Sequence, residues 1–172
     1  VNLMADVIKH RGPDGFGFFS EPGVNLGHRR LSIIDLNDRG NNPMFSSDGN
    51  YVIIYNGELF NYIELRNEIG DRYHFLTETD TEVVLASYVL WGEACLQKFI
   101  GMYSFAIWEK QSRILFAARD RFGIKPFYYN HEGSEFTFGS EIKSLLKFGI
   151  PNSPNERIIF QYLSQGLYDH SG

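Results

Sequence analysis

Met102-Tyr103-Ser104-Phe105-Ala106-Ile107-Trp108-Glu109-Lys110-Gln111-Ser112-Arg113-Ile114-Leu115-Phe116-Ala117-Ala118 is the stretch that decides the fold. Its two arms, 102–108 and 113–118, are rich in β-branched and aromatic residues and flank a polar turn at 110–112, the pattern of a β-hairpin. A second pair of arms, 127–130 and 136–139, flanks 131–134 in the same way. Upstream, Tyr51-Val52-Ile53-Ile54-Tyr55 is almost wholly apolar, as expected of a strand covered on both faces, and shorter strand-like runs lie at 16–19, 24–28 and 31–34. The polar stretch 37–50, with Gly40, Pro43 and Gly49, reads as a long surface loop.

The spacing of apolar residues predicts helices between these strands. Leu3, Met4, Val7 and Ile8 share one helical face before the loop His10-Arg11-Gly12-Pro13-Asp14-Gly15. Asn61 with Glu64 marks a helix start running to Gly70, and Thr79 with Glu82 matches a capping box ahead of Val84, Leu85, Tyr88 and Val89. Ser140 is expected to cap a helix with Ile142, Leu145 and Leu146 inward, and a last helix carries Ile158, Ile159, Tyr162 and Leu163. Antiparallel hairpins dominate and βαβ alternation is missing, which argues against a doubly wound sheet and for two mainly antiparallel sheets sandwiched by helices, an α/β (α+β) architecture. Residues 1–150 are expected to form this domain. Residues 151–172, punctuated by Pro151 and Pro154, read as a linker and first helix leading toward a second unit.

Composition excludes several functions. With 172 residues, 43% hydrophobic and 22% charged, the chain can bury one sizeable core and is not disordered. A net charge of −5 with no basic run argues against a nucleic-acid or anionic-membrane surface. No apolar stretch approaches the roughly 20 residues of a membrane span, and no signal sequence opens the chain. The single cysteine, Cys95, gives no reason to invoke an oxidising compartment, so a cytoplasmic location is expected. The five histidines, at 10, 28, 74, 131 and 170, lack metal-site spacing, and no metal is expected. Phosphate-loop, dinucleotide-binding and nucleophile-elbow motifs are absent, so no cofactor is expected in this domain.

Four local features could carry chemistry, each with a bland alternative. Asn56-Gly57-Glu58, after the buried strand, could aim an amide and a backbone N–H at a developing oxyanion, or could form a hairpin turn, for which Asn-Gly is a strong signal. Arg30 could pair bidentately with a carboxylate or lie on the surface. Asp80 could hold an ammonium group or serve as an ordinary first-turn acid. Cys95, among Ala94, Leu96 and Phe99, reads as a buried, inert thiol rather than a nucleophile, because nothing cationic adjoins it.

Taken together, six stretches resemble the class II glutamine amidotransferase (glutaminase) domain of asparagine synthetases. They are His10-Arg11-Gly12-Pro13-Asp14-Gly15, Gly27-His28-Arg29-Arg30-Leu31-Ser32-Ile33-Ile34-Asp35, Tyr55-Asn56-Gly57-Glu58-Leu59-Phe60-Asn61, Thr79-Asp80-Thr81-Glu82, Arg119-Asp120-Arg121-Phe122-Gly123-Ile124-Lys125-Pro126 and Gly139-Ser140-Glu141-Ile142-Lys143. They stand in family order along nearly the whole chain. The resemblance implies an N-terminal-nucleophile hydrolase fold, a four-layer α-β-β-α sandwich. It implies that Arg30 clamps the α-carboxylate of glutamine, with Leu31, Ser32, Ile33 and Ile34 as pocket wall. Asp80 and Glu58 would hold the α-ammonium, and the Asn56 amide and Gly57 N–H would form the oxyanion hole.

The implied activity is hydrolysis of the glutamine amide, supplying ammonia for amidation of aspartate by an ATP-dependent C-terminal domain, in which ATP and magnesium would bind. The implied partners are glutamine and that synthetase domain, with a homodimer of the full-length protein as a candidate assembly. Two alternatives stay open: a non-catalytic glutamine-binding or scaffold module that has lost its nucleophile, and the glutaminase domain of a related synthetase with another acceptor, since β-lactam synthetases and some sugar amidotransferases share the Gly27-to-Asp35 form. The family's nucleophile is a cysteine at the mature N-terminus, whereas this sequence begins Val1-Asn2-Leu3-Met4, inside the helix before the His10 loop. The expectation is therefore a domain lacking its first strand and its nucleophile, inactive as it stands and continued beyond Gly172.

Overall fold

The computed structural model describes residues 1–30 and 41–166. Within them the elements run α1 (Asn2–Asp6), β1 (Gly15–Glu21), β2 (Val24–Arg30), β3 (Met44–Phe45), β4 (Tyr51–Leu59), α2 (Tyr62–Ile69), α3 (Asp80–Trp91), β5 (Gly101–Glu109), β6 (Ile114–Arg119), β7 (Tyr128–Glu132), β8 (Glu135–Gly139), α4 (Ile142–Phe148) and α5 (Glu156–Gln165). Among the described residues every strand pairing is antiparallel. The central sheet has the order β3-β4-β5-β6, and β1-β2 and β7-β8 are two-stranded ladders of their own. The deciding stretch is thus the middle of the central sheet, with Ile107 opposite Ile53 on one side and Phe116 on the other.

Strand β4 shows why the layers form. Successive side chains point to opposite faces, and both Val52 and Ile53 are completely buried. Ile53, Tyr55 and Leu59 join Tyr103, Phe105 and Ile107 in a core closed by Leu65 and Ile69 of α2 and by Val83 to Ala86 of α3. Val52 and Ile54 face the other way, with Trp108 and Leu115, against Phe19, Val24 and Leu26 of the β1-β2 hairpin and Phe138 of β8. The two hairpins therefore form the second β layer, and α1 and α4 cover it, joined by a hydrogen bond from the Ser144 hydroxyl to the Met4 carbonyl at 3.2 Å. The result is helix, sheet, hairpins, helix. A cavity of about 650 Å³, lined by apolar residues such as Leu26, Ile54 and Phe138, lies between the hairpins and the central sheet.

Several local expectations change. The loop expected over 37–50 contains, in its described part, the short strand β3, whose Met44 is buried opposite Ile53. Helix α1 ends at Asp6, and it buries Met4 and Ala5 while Leu3 is exposed. Asn61 does not cap α2. Its amide donates to the Lys98 carbonyl and its oxygen accepts from Ile100 N–H, tying the helix start to the segment before β5. Only half of the Thr79–Glu82 box forms: Thr79 Oγ1 accepts from Glu82 N–H, but the Glu82 carboxylate accepts from Leu76 N–H, Thr77 N–H and the Thr77 hydroxyl instead. Glu141, not Ser140, precedes α4, and Leu145 is inward while Ile142 and Leu146 are exposed. Helix α5 buries none of its residues. Among the described residues no helix is long and apolar enough to cross a membrane.

Candidate functional site

Strand β4 does not stop before Asn56. It runs on through Gly57 and Glu58 to Leu59, pairing Asn56 with Ser104, Gly57 with Tyr103 and Glu58 with Met102 of β5. The hairpin-turn reading of Asn56-Gly57 is thereby excluded, and so is the idea that the strand ends there. What the ladder supplies is a particular edge. Tyr103 gives its backbone groups to Asp120, its N–H donating to Oδ2 at 3.3 Å and its carbonyl accepting from Asp120 N–H at 2.8 Å. Opposite Gly57 the β4-β5 ladder is therefore at a non-hydrogen-bonded pair, and the alternation of an antiparallel ladder turns the backbone groups of Tyr55, Gly57 and Leu59 to the other edge of β4.

On that edge the Tyr55 carbonyl accepts from His28 Nε2 at 2.9 Å, and Leu59 N–H donates to Asp80 Oδ2 at 2.9 Å. Between these two anchors the Gly57 N–H faces the same side. The glycine is sterically required, because a Cβ there would lie 2.5 Å from the Met102 carbonyl oxygen and 2.8 Å from the Tyr55 hydroxyl.

This edge opens onto a polar cavity of about 300 Å³ lined by Arg30, Asn56, Gly57, Glu58 and Asp80, among others. The structure thus brings five of the sequence-predicted residues together. Leu31, Ser32, Ile33 and Ile34 lie outside the described residues. Arg30 is only 9% exposed, which overturns the surface reading, and its Nη1 donates to Asn41 Oδ1 at 2.7 Å. Its neighbour Arg29 takes the opposite side of β2: it stacks on Phe16, donates to the Ala5 carbonyl and pairs with Asp6. Strand alternation sends the two side chains to opposite sides of β2; both residues line the cavity, but the Arg29 guanidinium is held by Phe16, Ala5 and Asp6.

Asp80 heads α3 and is 7% exposed, deeper than an ordinary first-turn acid. Its Oδ2 accepts from the Tyr55 hydroxyl at 3.0 Å and from Leu59 N–H. Burial raises its pKa, against the pull of these donors and with the help of the nearby Glu58 charge. Burial likewise keeps the Tyr55 phenol protonated, a fixed donor. Glu58 itself is exposed at the cavity mouth.

His28 also lines the cavity. Burial pushes its pKa down to about 4, against the Tyr55 carbonyl contact and with Arg30's charge adding to the fall. It is therefore a neutral imidazole that carries its proton on Nε2, and its buried Nδ1 has no partner among the described residues. His28, Tyr55, Asn56 and Ser140 line both the polar and the larger apolar cavity, so the two spaces meet there.

Cys95 is completely buried in the core against α3, and burial pushes its thiol up to about 12. It does not line the polar cavity. Among the described residues no group of three or more His, Cys, Asp or Glu side chains could hold a metal.

Sequence reasoning missed Tyr55, His28 and Asn41 as site residues. Tyr55 and Gly57 sit two apart on one strand face, which was legible, but the reach from Tyr55 to Asp80 depends on how α3 packs on the sheet. Asn41 fell in a stretch read as loop. A further cluster, Glu141 with His10 at 2.8 Å, Lys143 at 2.9 Å and Arg11 at 3.5 Å, ties the His10 loop to the start of α4. The Lys143, then His10, hydrogen bonds hold the Glu141 carboxyl below its usual range.

A family profile described as glutamine amidotransferase domain matches residues 1–171. The chain is 47% identical over 150 residues to "Asparagine synthetase [glutamine-hydrolyzing] 3" of Bacillus subtilis (strain 168), a match that covers 85% of this chain and 24% of that protein. It is 44% identical over 165 residues to "Asparagine synthetase [glutamine-hydrolyzing] 1" of the same organism, covering 95% and 26% respectively. The chain thus spans about a quarter of the length of these curated relatives. Among solved structures it resembles glutamine phosphoribosylpyrophosphate amidotransferase from B. subtilis with a TM-score of 0.61 and 23% identity, over 73% of this chain and 29% of that one. That likeness shows a shared fold, and with the four layers described above it bears out the expected N-terminal-nucleophile hydrolase type of sandwich.

Proposed function

Because this chain belongs to the glutamine amidotransferase domain family, we propose that its polar cavity binds glutamine and releases the side-chain nitrogen as ammonia for an asparagine synthetase. Glutamine carries a zwitterion at one end and an amide at the other, and the cavity offers a complement for each. The buried Arg30 guanidinium meets the α-carboxylate, a charge-assisted contact that fixes orientation as well as affinity. Asp80, with Glu58 at the mouth, meets the α-ammonium. An arriving cation favours the ionised carboxylate and so works against the burial that raises Asp80's pKa. The amide carbonyl then lies against Asn56 and Gly57, whose side-chain amide and backbone N–H receive the negative charge of the tetrahedral intermediate.

The attacking thiol in this reading belongs to an N-terminal cysteine, since Cys95 is held protonated in another layer. In this reading the α-amine of that N-terminal cysteine takes the thiol proton as sulfur attacks the amide carbonyl carbon to form the tetrahedral species. Collapse breaks the C–N bond and expels ammonia carrying that proton, and water adds to the resulting thioester to release glutamate and the free thiol. In the same reading residues 1–150 are the glutaminase domain and 151–172 lead toward an ATP-dependent synthetase domain, where ATP and magnesium bind. The exposed apolar residues of α5, Ile159, Phe160 and Leu163 among them, support a role in meeting that domain. We place the reaction in the cytoplasm, where the attacking thiol stays reduced.

The observation that carries the proposal is the single cavity shared by Arg30, Asp80 and the Asn56–Gly57 edge. Its test is glutamine-dependent ammonia release by the full-length gene product and its Arg30→Ala variant. The proposal expects the KM for glutamine to rise by about 30-fold or more, the scale of a lost charge-assisted contact. An unchanged KM would overturn it.

A further inference from the structure

We propose that Tyr55 is a positioning residue that sets the Asp80 carboxylate for an α-ammonium group and couples that pole of the site to the Asn56–Gly57 edge. The inference rests on the proposed glutamine site and adds a residue to it. Four contacts carry it. The Tyr55 hydroxyl donates to Asp80 Oδ2 at 3.0 Å, and Leu59 N–H donates to the same oxygen at 2.9 Å, while Oδ1 takes neither bond. The carboxylate is thereby turned with Oδ2 toward β4, the Thr81 N–H at the head of α3 also helps hold its charge, and Oδ1 is the oxygen we assign to the cation.

The same phenol crosses directly over Gly57, whose missing Cβ would lie 2.8 Å from its Cζ and hydroxyl oxygen. Tyr55's own carbonyl is pinned by His28 Nε2 at 2.9 Å. One side chain, anchored at its backbone one residue before Asn56, therefore spans from the edge that presents the Gly57 N–H to the head of α3. The distance between the two ends of the site is fixed by a rigid aromatic ring rather than by a flexible linker. The ring is 5% exposed and packed in the core, so the hydroxyl can be deleted without removing the ring's packing.

The discriminating experiment uses the full-length gene product, its Tyr55→Phe and Asp80→Asn variants, and two ligands: glutamine and glutaramate, which keeps the carboxylate and the amide but lacks the α-ammonium. Tyr55→Phe is expected to raise the KM for glutamine about tenfold, the scale of one hydrogen bond to a charged group, with kcat within about twofold. The inhibition constant of glutaramate against glutamine hydrolysis is expected to be the same for Tyr55→Phe and the parent. A merely structural role would weaken both ligands alike, and that result would overturn the proposal. So would a glutamine KM unchanged in Tyr55→Phe but raised in Asp80→Asn. If Asp80→Asn leaves the glutamine KM unchanged, the glutamine-site reading itself fails and the role of Tyr55 falls with it.

Discussion

Gly57 lies beneath the carbonyl of Met102 so closely that a Cβ on it would stand 2.5 Å from that oxygen. The obstruction is backbone on a paired strand, which cannot swing aside as a side-chain tip would. Gly57→Ala is therefore expected to push β4 away from β5 at the Gly57–Tyr103 pair and tilt the N–H that faces the cavity. Overpacking of this kind costs about 1–3 kcal/mol. Denaturant unfolding should show that loss, and ammonia release from glutamine should fall by more than the stability change explains. An Ala variant with parental turnover would contradict the account of this edge.

His28 makes stability depend on pH. The unfolded imidazole binds a proton near 6.5, and burial holds the folded one near 4. Between these values the unfolded state carries more protons, so stability falls as pH falls; above 6.5 the contribution, roughly 3 kcal/mol, is complete. Roughly 2 kcal/mol of it is lost by pH 5. Urea unfolding at pH 7 and pH 5 should show this slope in the parent and a flatter one in His28→Gln. Identical slopes would contradict the assignment.

Cys95 is the only thiol in the sequence, and its burial among the residues packed on α3 makes it inert. Cys95→Ala is expected to leave glutamine-dependent ammonia release by the full-length protein within about twofold of the parent. The cost should appear only as about 1 kcal/mol of lost packing. Loss of turnover in a folded Cys95→Ala protein would show that the thiol acts in the reaction.

Asp120 holds the 119–126 loop through one buried carboxylate. It accepts from the N–H groups of Tyr103, Phe122, Ile124 and Lys125, and these donors keep its pKa low in spite of burial. Asp120→Ala orphans several of these donors at once and is expected to cost at least about 3 kcal/mol. Urea unfolding of the variant measures this. A loss below 1 kcal/mol would mean that the loop finds other acceptors.

Much of this architecture is legible in the residues themselves. Hairpin periodicity locates β5 to β8 to within a residue or two, because an apolar run bounded by polar turns has few other ways to fold. The run 51–55 identifies the strand covered on both faces, but its continuation through Asn56-Gly57-Glu58 is not legible. Asn and Gly are weak strand formers, and there the pairing is imposed by Ser104, Tyr103 and Met102 from nearly fifty residues away. Arg30 and Asp80 were recognisable by motif, whereas their burial and the phenol that turns Asp80 are products of packing between distant elements. Capping expectations fared least well: Asn61 and Glu82 spend their side chains on neighbouring loops, since nearby buried N–H groups outcompete the helix ends for them.

In the proposed function this domain delivers ammonia by stabilising an oxyanion at Asn56 and Gly57. The most direct measurement is Asn56→Ala in the full-length gene product, assayed for asparagine formation with glutamine and, separately, with ammonium salt as nitrogen donor. Losing one oxyanion donor costs about 10²- to 10³-fold in kcat. The account predicts a fall of that size with glutamine and an unchanged rate with ammonium. Equal losses with both donors, or none with glutamine, would contradict it.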